Sequence, residues 1–212
     1  MKLAGLTMYD LDPVREATDA WWAGLAKACR EEGFSDVPDE LWRGGPREDL
    51  WRSPDLLLSQ TCGYPLLKHF MAHLTLLATP IYGAEGCYGA NYCSLIVVRA
   101  NSDAATLEDL RGGICAINDW DSQSGMNVLR HTIAPLARNG RFFGEVKVAG
   151  KHQFSIAMIA GGEADVAAID CVTHPSLSSK FCECLSIHFN RTDVEVLSDF
   201  VSLCHQGLEQ TC

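Results

Sequence analysis

Residues 114–130, ICAINDWDSQSGMNVLR, decide how the chain is read. Ile114–Ile117 has the length and apolar content of a buried strand, and Met126–Ala137 carries apolar residues at helical spacing. Between them lies Asp121-Ser122-Gln123-Ser124-Gly125. A strand, a short hydroxyl-rich loop and a helix N-terminus make one βα unit of an α/β protein. The first turn of such a helix leaves backbone N–H groups without internal partners, and the helix dipole favours negative charge there. Ser122 and Ser124 add hydroxyl donors, and Gly125 lets a ligand approach the backbone closely. Two readings stand at this point: an anion site, or an Asp or Ser cap that satisfies the helix end and does nothing more.

The same alternation extends in both directions. Leu3–Met8 reads as a strand. Asp12 is a suitable N-cap with Pro13 at the first helical position, and the following helix would bury Ala17, Ala20, Trp21, Leu25 and Ala28 before Gly33 ends it. Val37–Trp42 reads as a short strand and Pro46–Trp51 as a short helix. The strand Asp55–Leu58 runs into the polar Ser59–Tyr64, a helix continues to about His73, and Thr75–Tyr82 and Tyr92–Arg99 are strands around the glycine-containing loop 83–90. Beyond the central unit come a strand at Glu145–Val148, a helix at Gln153–Ala160 broken by Gly161-Gly162, and a strand at Val166–Ile169 ending in Asp170. This order predicts an α/β fold of mostly parallel sheets with flanking helices. Such sheets bind ligands beyond the carboxyl ends of their strands. Ser59–Tyr64, Asn118–Ser124 and Asp170–Thr173 fall there.

Composition narrows the function classes. The 212 residues suffice for one large domain or two small lobes, with 47% hydrophobic and 21% charged residues. A net charge of −10 argues against a basic nucleic-acid-binding surface, while an anion can still be held by neutral hydroxyls and amides. No stretch is long and apolar enough for a membrane span. The apolar part of Met1–Met8 is too short for a signal peptide, which leaves a cytoplasmic location as one expectation. Of the ten cysteines, Cys29, Cys93 and Cys115 read as small buried hydrophobes and the set as no disulfide framework. Cys62, at a strand-to-helix turn, is a candidate nucleophile with His152 as a distant base, or else a small turn residue. Cys182, Cys184, His188, Cys204, His205 and Cys212 are potential zinc ligands that lack the paired C-x₂-C spacing. No metal and no cofactor are therefore expected. Trp120 is either a loop aromatic that covers the hinge or a ring that would stack on a heterocycle.

Three stretches taken together carry a family likeness: LLSQTCGYP at 57–65, NDWDSQSGMN at 118–127, and Gly150-Lys151-His152 followed by GGEADVAAID at 161–170. They resemble the phosphate/phosphite/phosphonate solute-binding proteins of ABC transporters, over about residues 5–180. The resemblance implies a two-lobed type 2 periplasmic-binding-protein fold that closes on its ligand by a hinge. Lobe one would be 1–85, with 176–212 returning to it; lobe two would be 86–175, with Tyr92–Arg99 as the first crossing strand. It implies a periplasmic, monomeric, non-catalytic protein that holds a small oxyanion (phosphonate, phosphite or phosphate-like) in the interlobe cleft for an ABC permease. Ser122, Gln123, Ser124 and Gly125 would take the oxygens, with Asn118 in the same motif and His152 as a further donor. Tyr9, Ser59, Gln60 and Thr61 would close from lobe one. Tyr64 would contact ligand or lie in the core, and Asp170 would pair with a ligand amine or cap the next helix. Another small anion or a heterocyclic ligand in a cytoplasmic relative, or a cysteine-dependent enzyme, are the alternatives. The stretch after Lys180, with four of the ten cysteines, departs from the family's usual ending.

Overall fold

The computed structural model describes residues 1–175 and, beyond them, the backbone of three short strands. The chain divides into two units, Met1–Pro80 with Ser198–Cys212, and Ile81–Leu197.

The first unit is built on a four-stranded sheet. Its strands are β1 (Leu3–Gly5), β2 (Leu56–Thr61), β3 (Leu74–Ala78) and, from the end of the chain, β11 (Phe200–His205), in the order β1-β2-β11-β3. β1 and β2 are parallel, while β11 is antiparallel to both its neighbours. Helix α1 (Arg15–Glu31) packs Trp22 and Ala26 with Ala4, Leu6, Val37 and Leu41. Helices α2 (Arg47–Arg52) and α3 (Gly63–Pro65), the latter continued by a π-helical turn at Leu66–Phe70, close a second core of Leu50, Trp51, Leu56, Leu66, Phe70 and Leu74.

Several local expectations need correction in this unit. The buried stripe of α1 is Thr18, Trp22 and Ala26, not the face through Ala17, Ala20, Trp21 and Ala28, which are exposed. Both stripes have the helical period, and tertiary packing selected the one holding Trp22, whose indole N–H donates to Pro38 O at 3.2 Å. A 3₁₀ turn at Asp12–Val14 precedes the helix, and Asp12 makes no side-chain cap. Gly33 does end α1, at φ +93, with Gly33 N donating to Arg30 O and Phe34 N to Cys29 O. Residues 37–42 form no strand; Trp42 N donates to Ala4 O at 2.7 Å, and Val37 and Leu41 are buried. β1 stops at Gly5, where a Cβ would run into the side chain of Leu50.

The second unit holds a five-stranded sheet. Its members are β5 (Ser94–Arg99), β6 (Ile114–Ile117), β7 (Glu145–Val148), β8 (Val166–Asp170) and β9 (Leu185–Ile187), in the order β7-β6-β8-β5-β9. β6 is parallel to β7 and β8, whereas β5 is antiparallel to β8 and β9. A small ribbon pairs β4 (Asn91–Tyr92) with β10 (Val196–Leu197). Every residue of β8 is buried, as an apolar central strand covered on both faces must be. On one face Ile96, Val98, Cys115, Ile117, Val166 and Ala168 pack with Leu129, Phe142 and Phe143. Helix α5 (His152–Ala160) packs on β8, β6 and β5 and buries Ile156 and Ile159.

The helix after β6 starts earlier than its apolar spacing predicts. A π-helical turn at Gln123–Asn127 leads into α4 (Val128–Ile133) and a 3₁₀ turn at Ala134–Leu136. Among the described residues no helix is long and apolar enough to cross a membrane, and no His, Cys, Asp and Glu cluster could hold a metal ion. Cys182, Cys184, His188 and Cys212 lie outside the described residues, and of Cys204 and His205 only the backbone is described.

Candidate functional site

The second unit brings Asn118, Ser122, Ser124, Gly125, His152 and Asp170 together, three of them from one turn and the others from separate strand or helix ends. Asn118 follows β6, His152 opens α5, and Asp170 ends β8. Ser122 is the N-cap of the π turn, and its Oγ accepts from Gly125 N at 3.0 Å. The cap reading is thus realised. The first helical bond then runs from Asn127 N to Ser122 O at 3.0 Å. Ser94 Oγ, on β5, donates to Ser124 O at 2.9 Å and fixes the turn from below. Gln123 Oε1 accepts from Asn127 Nδ2 at 3.1 Å.

His152 Nε2 lies 2.9 Å from Ser124 Oγ and 3.3 Å from Asp170 Oδ2. A carboxylate only accepts, so a proton on Nε2 is the arrangement that suits Asp170, and whether Ser124 Oγ donates or accepts follows the ring's tautomer. In a serine–histidine–aspartate relay the serine and the carboxylate occupy opposite ring nitrogens. Here both contacts fall on one nitrogen, Nε2. Asp170 Oδ1 accepts from Val172 N at 3.0 Å and Thr173 N at 2.7 Å, the bonds of a cap. The carboxylate is buried, and this donor set compensates it.

Gly125 makes the convergence sterically possible. A Cβ there would run into Asn118 Oδ1 and come within 2.9 Å of His152 Cε1. Asn118 Oδ1 is itself buried with no hydrogen-bond partner among the described residues. Trp120, in the same connection, is 56% exposed.

The candidates of the first unit are placed differently. Ser59, Gln60 and Thr61 are not loop residues but the buried last half of β2. Ser59 Oγ donates to Gly5 O at 2.9 Å and accepts from Trp51 Nε1 at 3.2 Å. Thr61 Oγ1 donates to Cys62 O at 3.3 Å. Tyr64 lies under the Lys68 ammonium, 5.2 Å from the ring centroid. Tyr9 follows β1 beside Asp10, which receives a two-pronged bond from Arg43 at 2.6 and 2.9 Å; Arg43 also reaches Asp19 at 2.7 Å. These carboxylates hold the guanidinium above its already high ordinary range. Cys62 is a buried thiol in the first unit, whereas His152 belongs to the second. Ser94 and Arg43 escaped the sequence reading. A lone serine opening an apolar strand was the only signal for the first, and an arginine among many surface charges gave none for the second.

The fold is shared with solved structures. PhnD1 from Prochlorococcus marinus, in complex with methylphosphonate, aligns over 99% of this chain and 77% of its own, with a TM-score of 0.72 and 15% identity. A binding protein component of an ABC phosphonate transporter from Pseudomonas aeruginosa aligns over 95% and 68%, with a TM-score of 0.70 and 14% identity. The periplasmic VFT2 domain of Bordetella pertussis BvgS aligns over 96% and 78%, with a TM-score of 0.57 and 16% identity. The architecture is therefore a type 2 periplasmic-binding-protein fold. No curated protein matches the chain. The family described as "ABC transporter, phosphonate, periplasmic substrate-binding protein" matches residues 54–180, and the chain belongs to that family.

Proposed function

We propose that this chain is the solute-binding component of an ABC-type importer and holds a small phosphonate-like oxyanion, without transforming it. One observation carries the reading: the N-terminal turn at Gln123–Asn127, capped by Ser122, sets the Ser124 hydroxyl beside a histidine that also contacts a buried carboxylate. These are neutral or charge-balanced donors, as an acidic protein that selects by hydrogen-bond geometry requires. The protein works in the periplasm with a permease. Asp170 serves as the positioning residue of His152, because both its oxygens already have partners.

The test is a thermal melt with methylphosphonate, phosphite or phosphate. A ligand at about 100 times its Kd stabilises the folded state by about 2.7 kcal/mol. Ser124→Leu should abolish the rise in Tm, and Glu31→Ala, on the exposed face of α1, should keep it. No rise with any of the three at millimolar concentration would sink the proposal. Native mass spectrometry of protein purified without phosphate would then show which ligand, if any, it carries.

A further inference from the structure

Away from the proposed anion shell, the second unit gathers three cysteines. Cys87 lies in the loop 83–90, Cys93 just before β5, and Cys171 just after Asp170. The Cys87 and Cys171 sulfurs are 3.6 Å apart, in van der Waals contact. Cys171 N donates to Cys93 O at 2.9 Å. Gly86, at φ +95, is what lets the loop lie on this cluster: a Cβ there would come within 2.7 Å of Cys93 Sγ and 3.3 Å of Cys171 Sγ. Tyr92 and Val128 seal the cluster, leaving Cys87 half-buried and Cys93 and Cys171 buried.

We propose that Cys87 and Cys171 are a thiol pair built to close as a disulfide, by exchange with an external small-molecule disulfide. An S–S bond of about 2.05 Å asks the two sulfurs to approach by about 1.5 Å. A change of side-chain rotamer at the half-buried Cys87 supplies a movement of that size. The Cys87 thiolate attacks one sulfur of the external disulfide and releases the first small thiol. Cys171 then loses its proton, attacks Cys87 Sγ and expels the second. Two protein thiols are oxidised to one S–S bond, the external disulfide is reduced to two thiols, and the two protons end on those products. Burial pushes the Cys87 thiol up and the Cys171 thiol up to about 12. The exchange therefore begins at the more exposed Cys87 and speeds up as the pH is raised. The bridge would tie the loop to the end of β8, one residue beyond Asp170.

The experiment uses the full chain and glutathione disulfide. After oxidation the protein is unfolded, remaining thiols are blocked with iodoacetamide, and peptides are mapped without reductant. Trypsin leaves Cys87 and Cys93 on one peptide, residues 69–99, so chymotryptic cleavage after Tyr88 separates them. The expected result is a Cys87–Cys171 linked peptide that forms faster at higher pH, disappears in dithiothreitol, and is absent from Cys87→Ser but kept by Cys93→Ala. A Cys93–Cys171 link in its place, or a glutathione adduct on Cys87 with Cys171 still open to iodoacetamide, would overturn the proposal. Cys87→Ser alters the least buried member, so folding of the variant can be checked by the same melt as the parent.

Discussion

At Gly125 a hydrogen stands where any other residue would push a carbon into Asn118 and against His152. Gly125→Ala should therefore displace both side chains from the turn. The expected outcome is loss of any ligand-induced rise in Tm, together with a lower melting point for the unliganded protein. Overpacking of this kind typically costs about 1–3 kcal/mol. His152 tests the same cluster from the other side. His152→Ala removes one of the donors that compensate buried Asp170, at a cost of about 1–3 kcal/mol in urea unfolding. His152→Gln, whose amide can donate to the carboxylate, should recover part of that loss. Equal unfolding free energies for the parent and both variants would show that Asp170 does not depend on the ring.

At the scale of elements, α1 separates what periodicity shows from what packing decides. Trp21 and Trp22 are neighbours, but the first is 41% exposed and the second 1%. Trp22→Ala should cost about 3–5 kcal/mol, and Trp21→Ala should stay within about 0.5 kcal/mol, both read from urea denaturation. The helix and its glycine stop were legible in the sequence, and so were the bounds of Ile114–Ile117, a short apolar run between turn residues, and of Glu145–Val148, where charged residues and valines alternate. The buried face of α1 was not legible, since alanines and tryptophans supply two stripes of the same period and only the sheet beneath chooses between them. Ser59–Thr61 looked like a loop because polar residues rarely finish a central strand. They do so here because Gly5 and Trp51, distant in sequence, accept and donate the bonds that Ser59 needs. The candidate site shows the same division. The turn Ser122–Gly125 announces itself locally, whereas the supports from Ser94 and Asp170 exist only once β5 and β8 pair, which sets those two residues opposite each other.

For the whole molecule, buried titrating groups set a pH window of stability. Burial holds His174 below its ordinary 6.5, and the nearby Asp170 charge offsets this only in part. As pH falls below 6.5 the unfolded chain takes up a proton that the folded chain resists, so stability drops until the lowered folded value is passed. At the alkaline end burial pushes Cys115 and Cys171 from an ordinary 9.0 up to about 12. Between those values the unfolded thiols lose protons that the folded ones keep, so stability falls as pH rises. The reduced protein should therefore melt highest between about 6.5 and 9 and lose stability on both sides. His174→Asn should flatten the acid limb relative to the parent, and Cys115→Ala should flatten part of the alkaline one. Closing the Cys87–Cys171 pair should flatten more of it, because neither sulfur then has a proton to lose. Melting curves of each variant against pH, referred to the parent at every pH, isolate these groups from the lysines and tyrosines that titrate in the same range. An alkaline limb of unchanged slope in Cys115→Ala would remove the buried thiol as its cause.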